Sequence, residues 1–135
     1  MRYLTAGEIL ALHYYLMSQR WSEQLYGIRD AGLLESAVNR PISAAHYGAS
    51  DLFDQAARLW EALSNNHPFV QGNKRTAYAA TELFLRLNVW RISASDAHVI
   101  KIALELATGH VSADGLAQWL SRNTEAYQRP SPHED

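Results

Sequence analysis

The sequence predicts an all-α protein, a compact bundle of about six helices with a loop-to-helix phosphate-binding motif. Apolar residues recur with the helical period in six segments, and most of these segments begin with an Asp, Ser or Thr that can cap a helix. Only residues 89–92 alternate like a strand. Because one isolated strand cannot form a sheet, this segment is predicted to be an extended connector.

Length and composition limit the classes of protein to which this chain can belong. The chain has 135 residues, of which 47% are hydrophobic, and this predicts one globular domain over residues 1–128 with a frayed polar tail at 129–135. A net charge of −2 disfavours nonspecific binding to nucleic acid or to anionic membrane. The absence of cysteine excludes disulfides and thiol nucleophiles, and no export signal or membrane-spanning segment is recognisable. We therefore expect a soluble cytoplasmic protein.

The first helix is predicted from about residue 5 to 19. Thr5 and Glu8 have the spacing of a capping box, in which each side chain binds the other residue's backbone N–H. Asp30 can cap a second helix, and Pro41 is expected to end it because proline disfavours helical geometry in the residue before it. Residues 41–50 are therefore predicted to be a connection that folds over a neighbouring surface as a flap.

A loop is predicted to lead directly into the amino terminus of the fourth helix. Asp51 can cap the third helix, whose apolar stripe ends near residues 64–66. Residues 67–69 then form a loop because they contain a proline and break the pattern. The helical period resumes after Gly72 and continues to Asn88.

Two further helices complete the predicted bundle. The fifth begins at Ser95 or Asp96 and ends at Gly109, and the sixth begins at Ser112. No basic residues interleave with the four tryptophans as they would in a nucleic-acid stacking surface, so the tryptophans are predicted to be core or partly buried anchors. They are Trp21, Trp60, Trp90 and Trp119.

The start of the fourth helix has the composition of a phosphate site. Gly72 allows close approach of the backbone, and the first N–H groups of a helix, Asn73 among them, form an anion site with the positive end of the dipole. Arg75 offers a planar fork of donors for phosphate oxygens, and Lys74 adds a mobile charge. These residues predict binding of a nucleoside triphosphate.

A histidine precedes this phosphate site by a few residues. His67 is followed by Pro68, which stiffens the loop, and an imidazole is the side chain best suited near neutral pH to accept a proton from an attacking hydroxyl. We therefore predict that His67 is a general base. The remaining histidines show no metal-ligand spacing and are predicted to be structural or surface residues. They are His13, His46, His98, His110 and His133.

These residues resemble the Fic/Doc family. Six of nine positions match its pattern H-P-F-x-[DE]-G-N-x-R, namely His67, Pro68, Phe69, Gly72, Asn73 and Arg75. The N-K-R-T-A version of this motif, found in Doc toxins, is also present. Residues 27–37 and 107–109 are similar to the family too, so the resemblance covers roughly residues 1–125.

The resemblance implies a function as well as a fold. It implies that His67 is the catalytic base, that Gly72 and Asn73 bind phosphate, and that Arg75 stabilises the group being transferred. The Doc branch, with lysine at the position of Lys74, is understood to transfer the γ-phosphate of ATP to a hydroxyl of elongation factor Tu. The resemblance also implies a cognate antitoxin, partly disordered and folding as it binds.

One residue departs from the family pattern. Gln71 stands where the family has an acidic residue that holds Mg²⁺, and a neutral amide lacks the charge that makes carboxylates the usual anchor of this ion. The sequence leaves open whether another acid compensates, whether the enzyme is degenerate, or whether the glutamine was introduced to disarm a toxin. Two alternative functions stay open with it: AMP transfer to a protein hydroxyl, and a catalytically silent binding module.

Overall fold

The computed structural model describes residues 1–19, 26–48 and 50–128. Over these residues the chain is mostly helical, with six helices and one small sheet of two strands. In chain order the elements are α1 Ala6–Ser18, α2 Ala31–Tyr47, α3 Leu52–Asn65, α4 Asn73–Leu87, β1 Trp90–Ile92, α5 Asp96–Ala107, α6 Ala113–Arg122 and β2 Thr124–Ala126. The predicted helical bundle is confirmed. The predicted tail at 129–135 lies outside the described residues, and the single-domain boundary at 128 stays a prediction.

The predicted helix starts agree with the observed ones because capping is a local interaction. Thr5 and Glu8 form the expected capping box, with the Thr5 N–H donating to Glu8 Oε1 at 3.0 Å and the Glu8 N–H donating to Thr5 Oγ1 at 3.1 Å. Four other predicted cap side chains accept a hydrogen bond from a backbone N–H in the first turn of their helix: Asp30, Asp51, Ser95 and Ser112.

The core is built around α3, which packs against α2, α4 and α6. Trp60 at the centre of α3 is 1% exposed and makes an edge-to-face contact with Trp119 of α6 at 6.3 Å between ring centroids. Trp90 is half-buried and meets Phe53 edge to face. The prediction for these three tryptophans is confirmed, whereas Trp21 lies outside the described residues.

The predicted end of the second helix at Pro41 is wrong. The helix α2 continues through Pro41 to Tyr47, although a proline removes one backbone hydrogen bond from a helix. Pro41 is buried together with Leu34, Ala37 and Val38, so packing of the apolar face against the core outweighs the local preference. The predicted flap is therefore wrong as well: residues 41–47 are helical, and Ala49 lies outside the described residues.

The predicted connector at 89–92 is also wrong. Residues 90–92 form β1, which pairs antiparallel with β2 in the register Trp90 with Ala126, Arg91 with Glu125 and Ile92 with Thr124. The partner strand comes after two further helices, so nothing local in the sequence indicates it. Arg91 Nε donates to Glu125 Oε1 at 2.6 Å across the ladder.

Among the residues that the structure describes, none of the helices is long and apolar enough to cross a membrane.

Candidate active site

The segment between α3 and α4 brings the predicted catalytic and phosphate-binding residues together. His67 follows the end of α3, and its φ of 53° lies in the left-handed region that residues other than glycine seldom adopt. Gly72 caps α4 with a φ of 76°. Two residues in the left-handed region thus lie within six positions, and His67 is exposed beside the amino terminus of α4.

Gly72 is required at its position for two separate reasons. Its φ of 76° is a conformation that L side chains adopt at a cost. In addition, a Cβ at residue 72 would overlap Sδ of Met17, which is buried on α1 and packs directly against the loop. The expectation that Gly72 permits close approach of the backbone is therefore matched by the local packing.

The Asn73 side chain is used to hold the loop. Its Oδ1 accepts a hydrogen bond from the Phe69 N–H at 3.0 Å, and its Nδ2 donates to the Phe69 carbonyl at 3.0 Å. The same Nδ2 lies 3.5 Å from Nδ1 of His67, at the outer limit of hydrogen bonding, so this contact restricts the orientation of the ring without fixing its tautomer. Asn73 can therefore offer phosphate its backbone N–H, because its amide is already engaged.

A second segment clamps the loop from outside. The Val70 N–H donates to the Gly27 carbonyl at 2.9 Å, and the Pro68 carbonyl accepts from the N–H groups of Arg29 and Asp30. The Arg29 guanidinium donates to the carbonyls of His67 at 2.7 Å and Asn66 at 3.1 Å. The sequence predicts only a turn and a helix cap here. Asp30 is that cap, but Arg29 also fixes the backbone at the candidate base.

A buried histidine connects the clamp, the loop and α4. His13 is fully buried on α1, and its ring stacks on Phe69 with centroids 3.9 Å apart and planes 8° from parallel. Nε2 of His13 accepts the Gly27 N–H at 3.0 Å, and Nδ1 lies 2.9 Å from the Thr76 hydroxyl oxygen. His13 is thus the common contact of three pieces of chain that form the site.

The contacts of His13 fix its protonation state. Because Nε2 accepts a hydrogen bond, the ring proton lies on Nδ1, which donates to Thr76 Oγ1. Burial lowers the pKa of His13 from 6.5 to about 4, because desolvation disfavours the charged form. His13 is therefore neutral at physiological pH, and its predicted structural role is confirmed.

A cleft of about 450 Å³ opens at the amino terminus of α4, lined by Met17, His67 and residues 71–75. We call it the Met17 cleft. No acidic residue lies in the first turn of α4, whereas α1, α3, α5 and α6 each have one there. Lys74 and Arg75 occupy this turn instead, where positive charge is unfavourable unless an anion approaches. The cleft therefore has the composition of an anion site.

His67 and Lys74 also line a second cleft, of about 480 Å³. Its other walls are Ser64 and Asn65 at the end of α3 and residues 107–109 at the end of α5. We call it the Thr108 cleft. A further cleft of about 510 Å³ lies around Tyr47 and Arg58, near the amino terminus of α3, and none of the loop residues lines it. The candidate base and one of the two cationic side chains are thus shared by the first two clefts.

The Met17 cleft does not have the donors that Mg²⁺ prefers. Gln71 is exposed and neutral, and the cleft is lined by no carboxylate. Among the residues that the structure describes there is no group of three or more His, Cys, Asp or Glu side chains placed to share an ion. The residues present therefore do not fit a protein-anchored Mg²⁺, and the charge on a bound phosphate would be met by Lys74, Arg75 and the helix terminus.

The structure brings all six predicted site residues into one place: His67, Gln71, Gly72, Asn73, Lys74 and Arg75. Sequence reasoning missed Met17, Arg29 and the role of His13. Their contacts with the loop span large separations in sequence, and the only available signal was that residues 27–37 belong to the family resemblance. His46, His98 and His110 are exposed, as predicted, and His133 lies outside the described residues.

Comparison with known proteins identifies relatives of this chain. A profile of the Fic/DOC family matches residues 3–85. The chain is 47% identical over 70 residues to a protein named Toxin Doc from Mycolicibacterium smegmatis, a match that covers 50% of this chain and 53% of that relative, about half its length. It is 32% identical over 123 residues to a protein named Protein kinase doc from Escherichia phage P1, covering 90% of this chain and 95% of the phage protein.

Proposed function

This chain belongs to the Fic/Doc family, and from that membership we propose that it is a toxin that transfers the γ-phosphate of ATP to a Ser or Thr hydroxyl of a translation factor. Elongation factor Tu is the proposed acceptor. The observation that carries the proposal is the position of His67 between two clefts, with Lys74 and Arg75 beside it on the first turn of α4. The similarity to a phage protein named as a kinase supports phosphate transfer over AMP transfer.

Each residue has a defined part in this reaction. The first N–H groups of α4 and the Arg75 guanidinium bind the phosphate oxygens, and Lys74 adds positive charge. The hydroxyl oxygen of the acceptor forms a bond to the γ-phosphorus while the bond to the bridging oxygen of ADP breaks. The proton of the hydroxyl passes to the His67 imidazole as the new bond forms. The acceptor oxygen therefore does not have to become a free alkoxide before it attacks.

The proposed reaction requires that the loop between α3 and α4 hold His67 in a fixed position. Asn73 and Arg29 bind the backbone on both sides of His67, at Phe69 and at residues 66–67. A reacting group that is misplaced by about 1 Å can lose on the order of a hundredfold in rate. We therefore assign the Asn73 side chain, Arg29 and His13 to positioning. We assign contact with the substrates to His67, Gly72, Lys74 and Arg75, together with the backbone N–H of Asn73.

We also propose a cognate antitoxin as the regulatory partner, because one relative is named as a toxin. We propose the cytoplasm as the location, because the proposed acceptor is a translation factor. The antitoxin is expected to be partly disordered alone and to order on this domain.

ATP labelled on either the α- or the γ-phosphate tests the function directly. The purified protein is incubated with elongation factor Tu and each label, with His67→Ala as the blank. Label from the γ-position alone supports the proposal, and label from the α-position replaces it with AMP transfer. Nucleotide binding without label transfer would identify a silent binding module, the alternative that Gln71 favours.

A further inference from the structure

The two clefts that share His67 and Lys74 present no carboxylate among the described residues. The Met17 cleft is lined by Met17, His67 and residues 71–75, and the Thr108 cleft by residues 64–65, His67, Lys74 and residues 107–109. None of these residues is Asp or Glu. A phosphate group that enters either cleft therefore meets no negative side chain from the described part of the chain.

Acidic residues on the neighbouring elements are engaged elsewhere. The Asp30 carboxylate caps α2, where its Oδ1 accepts a first-turn N–H at 3.0 Å. On α3, Glu61 lies 3.5 Å from Arg40, and on α4, Glu82 binds Arg86 at 2.7 Å. None of these three acids lines either cleft. They therefore do not take the place of an acid at residue 71.

The start of α4 presents positive groups that no side-chain cap covers. Of the six described helices, α4 alone has no capping side chain, so its first N–H groups are left for a ligand. Lys74 is exposed, lines both clefts and forms none of the ion pairs found among the described residues. The lysine and the uncapped helix end both favour the ligand with the highest negative charge.

Magnesium changes the charge of the nucleotide that this site would bind. Mg²⁺ bound to ATP neutralises part of the charge on the phosphates. A site with a carboxylate gains affinity from the metal, because the metal relieves repulsion, whereas a site with positive groups alone loses affinity. We infer that the Met17 cleft binds the metal-free triphosphate of ATP in preference to its magnesium complex. This inference rests on the proposed function and names the form of the nucleotide.

Calorimetric titration measures this preference without a transfer assay. ATP and inorganic triphosphate are each titrated into the purified protein in EDTA and in excess MgCl₂, and KCl matches the ionic strength because salt screens exposed charges. We expect the Kd of both ligands to be about tenfold higher in magnesium than in EDTA. Inorganic triphosphate separates the effect of the phosphate chain from any contact that the nucleoside makes.

A charge at residue 71 should reverse the effect of magnesium. Gln71→Asp adds a carboxylate at an exposed position, so it should weaken binding of metal-free ATP about tenfold and should make Mg²⁺ strengthen binding. The matched control is Gln71→Asn, which shortens the side chain equally and should keep the wild-type preference for the metal-free form. Circular dichroism checks that both variants are folded.

A wild type that binds ATP more tightly in magnesium than in EDTA would overturn the inference, and an acid outside the described residues would then hold the metal. Equal affinities in the two conditions would overturn it as well, as would equal responses of Gln71→Asp and Gln71→Asn to magnesium. These results leave the proposed function standing, because ATP still binds. Absence of ATP binding in both conditions would overturn the inference and the proposed function together.

Discussion

At the scale of single residues, His67 is expected to contribute to the rate of transfer and not to the affinity for nucleotide. A general base acts in the transition state, so His67→Ala should abolish transfer while the Kd for ATP changes by no more than a few-fold. Calorimetric titration with ATP beside the labelled transfer assay checks this. A loss of ATP affinity of about a hundredfold would assign His67 to nucleotide binding instead.

Gln71 offers a test of charge at the phosphate site. Gln71→Asp adds a carboxylate to a cleft that has none, and we expect a gain in Mg²⁺ affinity and in transfer rate. Electrostatic stabilisation of this kind is commonly worth ~3 kcal/mol, or on the order of a hundredfold in rate. The matched control is Gln71→Asn, which shortens the side chain equally without adding charge.

The experiment is a γ-phosphate transfer assay across a magnesium titration. If Gln71→Asp and Gln71→Asn are equally active at limiting magnesium, the charge at residue 71 has no part in the reaction.

His13 predicts a particular dependence of stability on pH. Its pKa is about 4 when folded and about 6.5 when unfolded, so the unfolded chain binds more protons between these values. Stability is therefore complete above pH 6.5 and falls as the pH is lowered toward 4, by an amount on the order of 3 kcal/mol at the lower limit.

Urea unfolding at pH 7, 5.5 and 4 measures this effect, with His13→Gln as the comparison. The variant should be less stable at pH 7 but should lose much less between pH 6.5 and 4, because glutamine does not titrate. A wild type and variant with parallel pH profiles would show that another group is responsible.

At the scale of elements, the start of α4 depends on a close contact with α1. Gly72→Ala introduces both an unfavourable φ and an overlap with Met17, whereas Gly109→Ala introduces the unfavourable φ alone. We expect Gly109→Ala to cost about 1–2 kcal/mol in the free energy of unfolding and Gly72→Ala to cost clearly more. Chemical denaturation of both variants measures the difference.

Shortening the Met17 side chain tests its contact with residue 72 separately from the unfavourable φ. The double variant Met17→Ala with Gly72→Ala should be less destabilised than the sum of the two single changes, because the overlap is gone. Additive costs would mean that Met17 moves aside without penalty.

The elements also divide into those that the sequence could predict and those that it could not. The helix caps and the start of α4 depend on residues within one turn, so local patterns identify them. Pro41 inside α2 and the pairing of β1 with β2 depend on packing and on partners distant in sequence. The six candidate site residues could be predicted because they lie within nine consecutive positions of one motif, 67–75. Arg29, in contrast, binds carbonyls at residues 66–67 that no local pattern connects to it.

At the scale of the whole molecule, the proposed antitoxin should gain structure when it binds. A disordered segment that folds on contact buries apolar surface and pays its ordering entropy at that point, so mixing should produce helix that neither protein has alone. Circular dichroism of the two proteins, separately and mixed, measures it. A mixed spectrum equal to the sum of the separate spectra, at concentrations where the proteins bind, would contradict coupled folding.

The position of α6 and β2 has a consequence for synthesis on the ribosome. Leu116 and Leu120 of α6 are fully buried, and Thr124–Ala126 supply the second strand of the ladder. The loop with His67 is translated long before these residues, but α3, from which that loop extends, lacks one side of its packing until they emerge. A nascent chain therefore carries the candidate site residues without a complete scaffold, and we expect the proposed activity to begin only after β2 has left the exit tunnel.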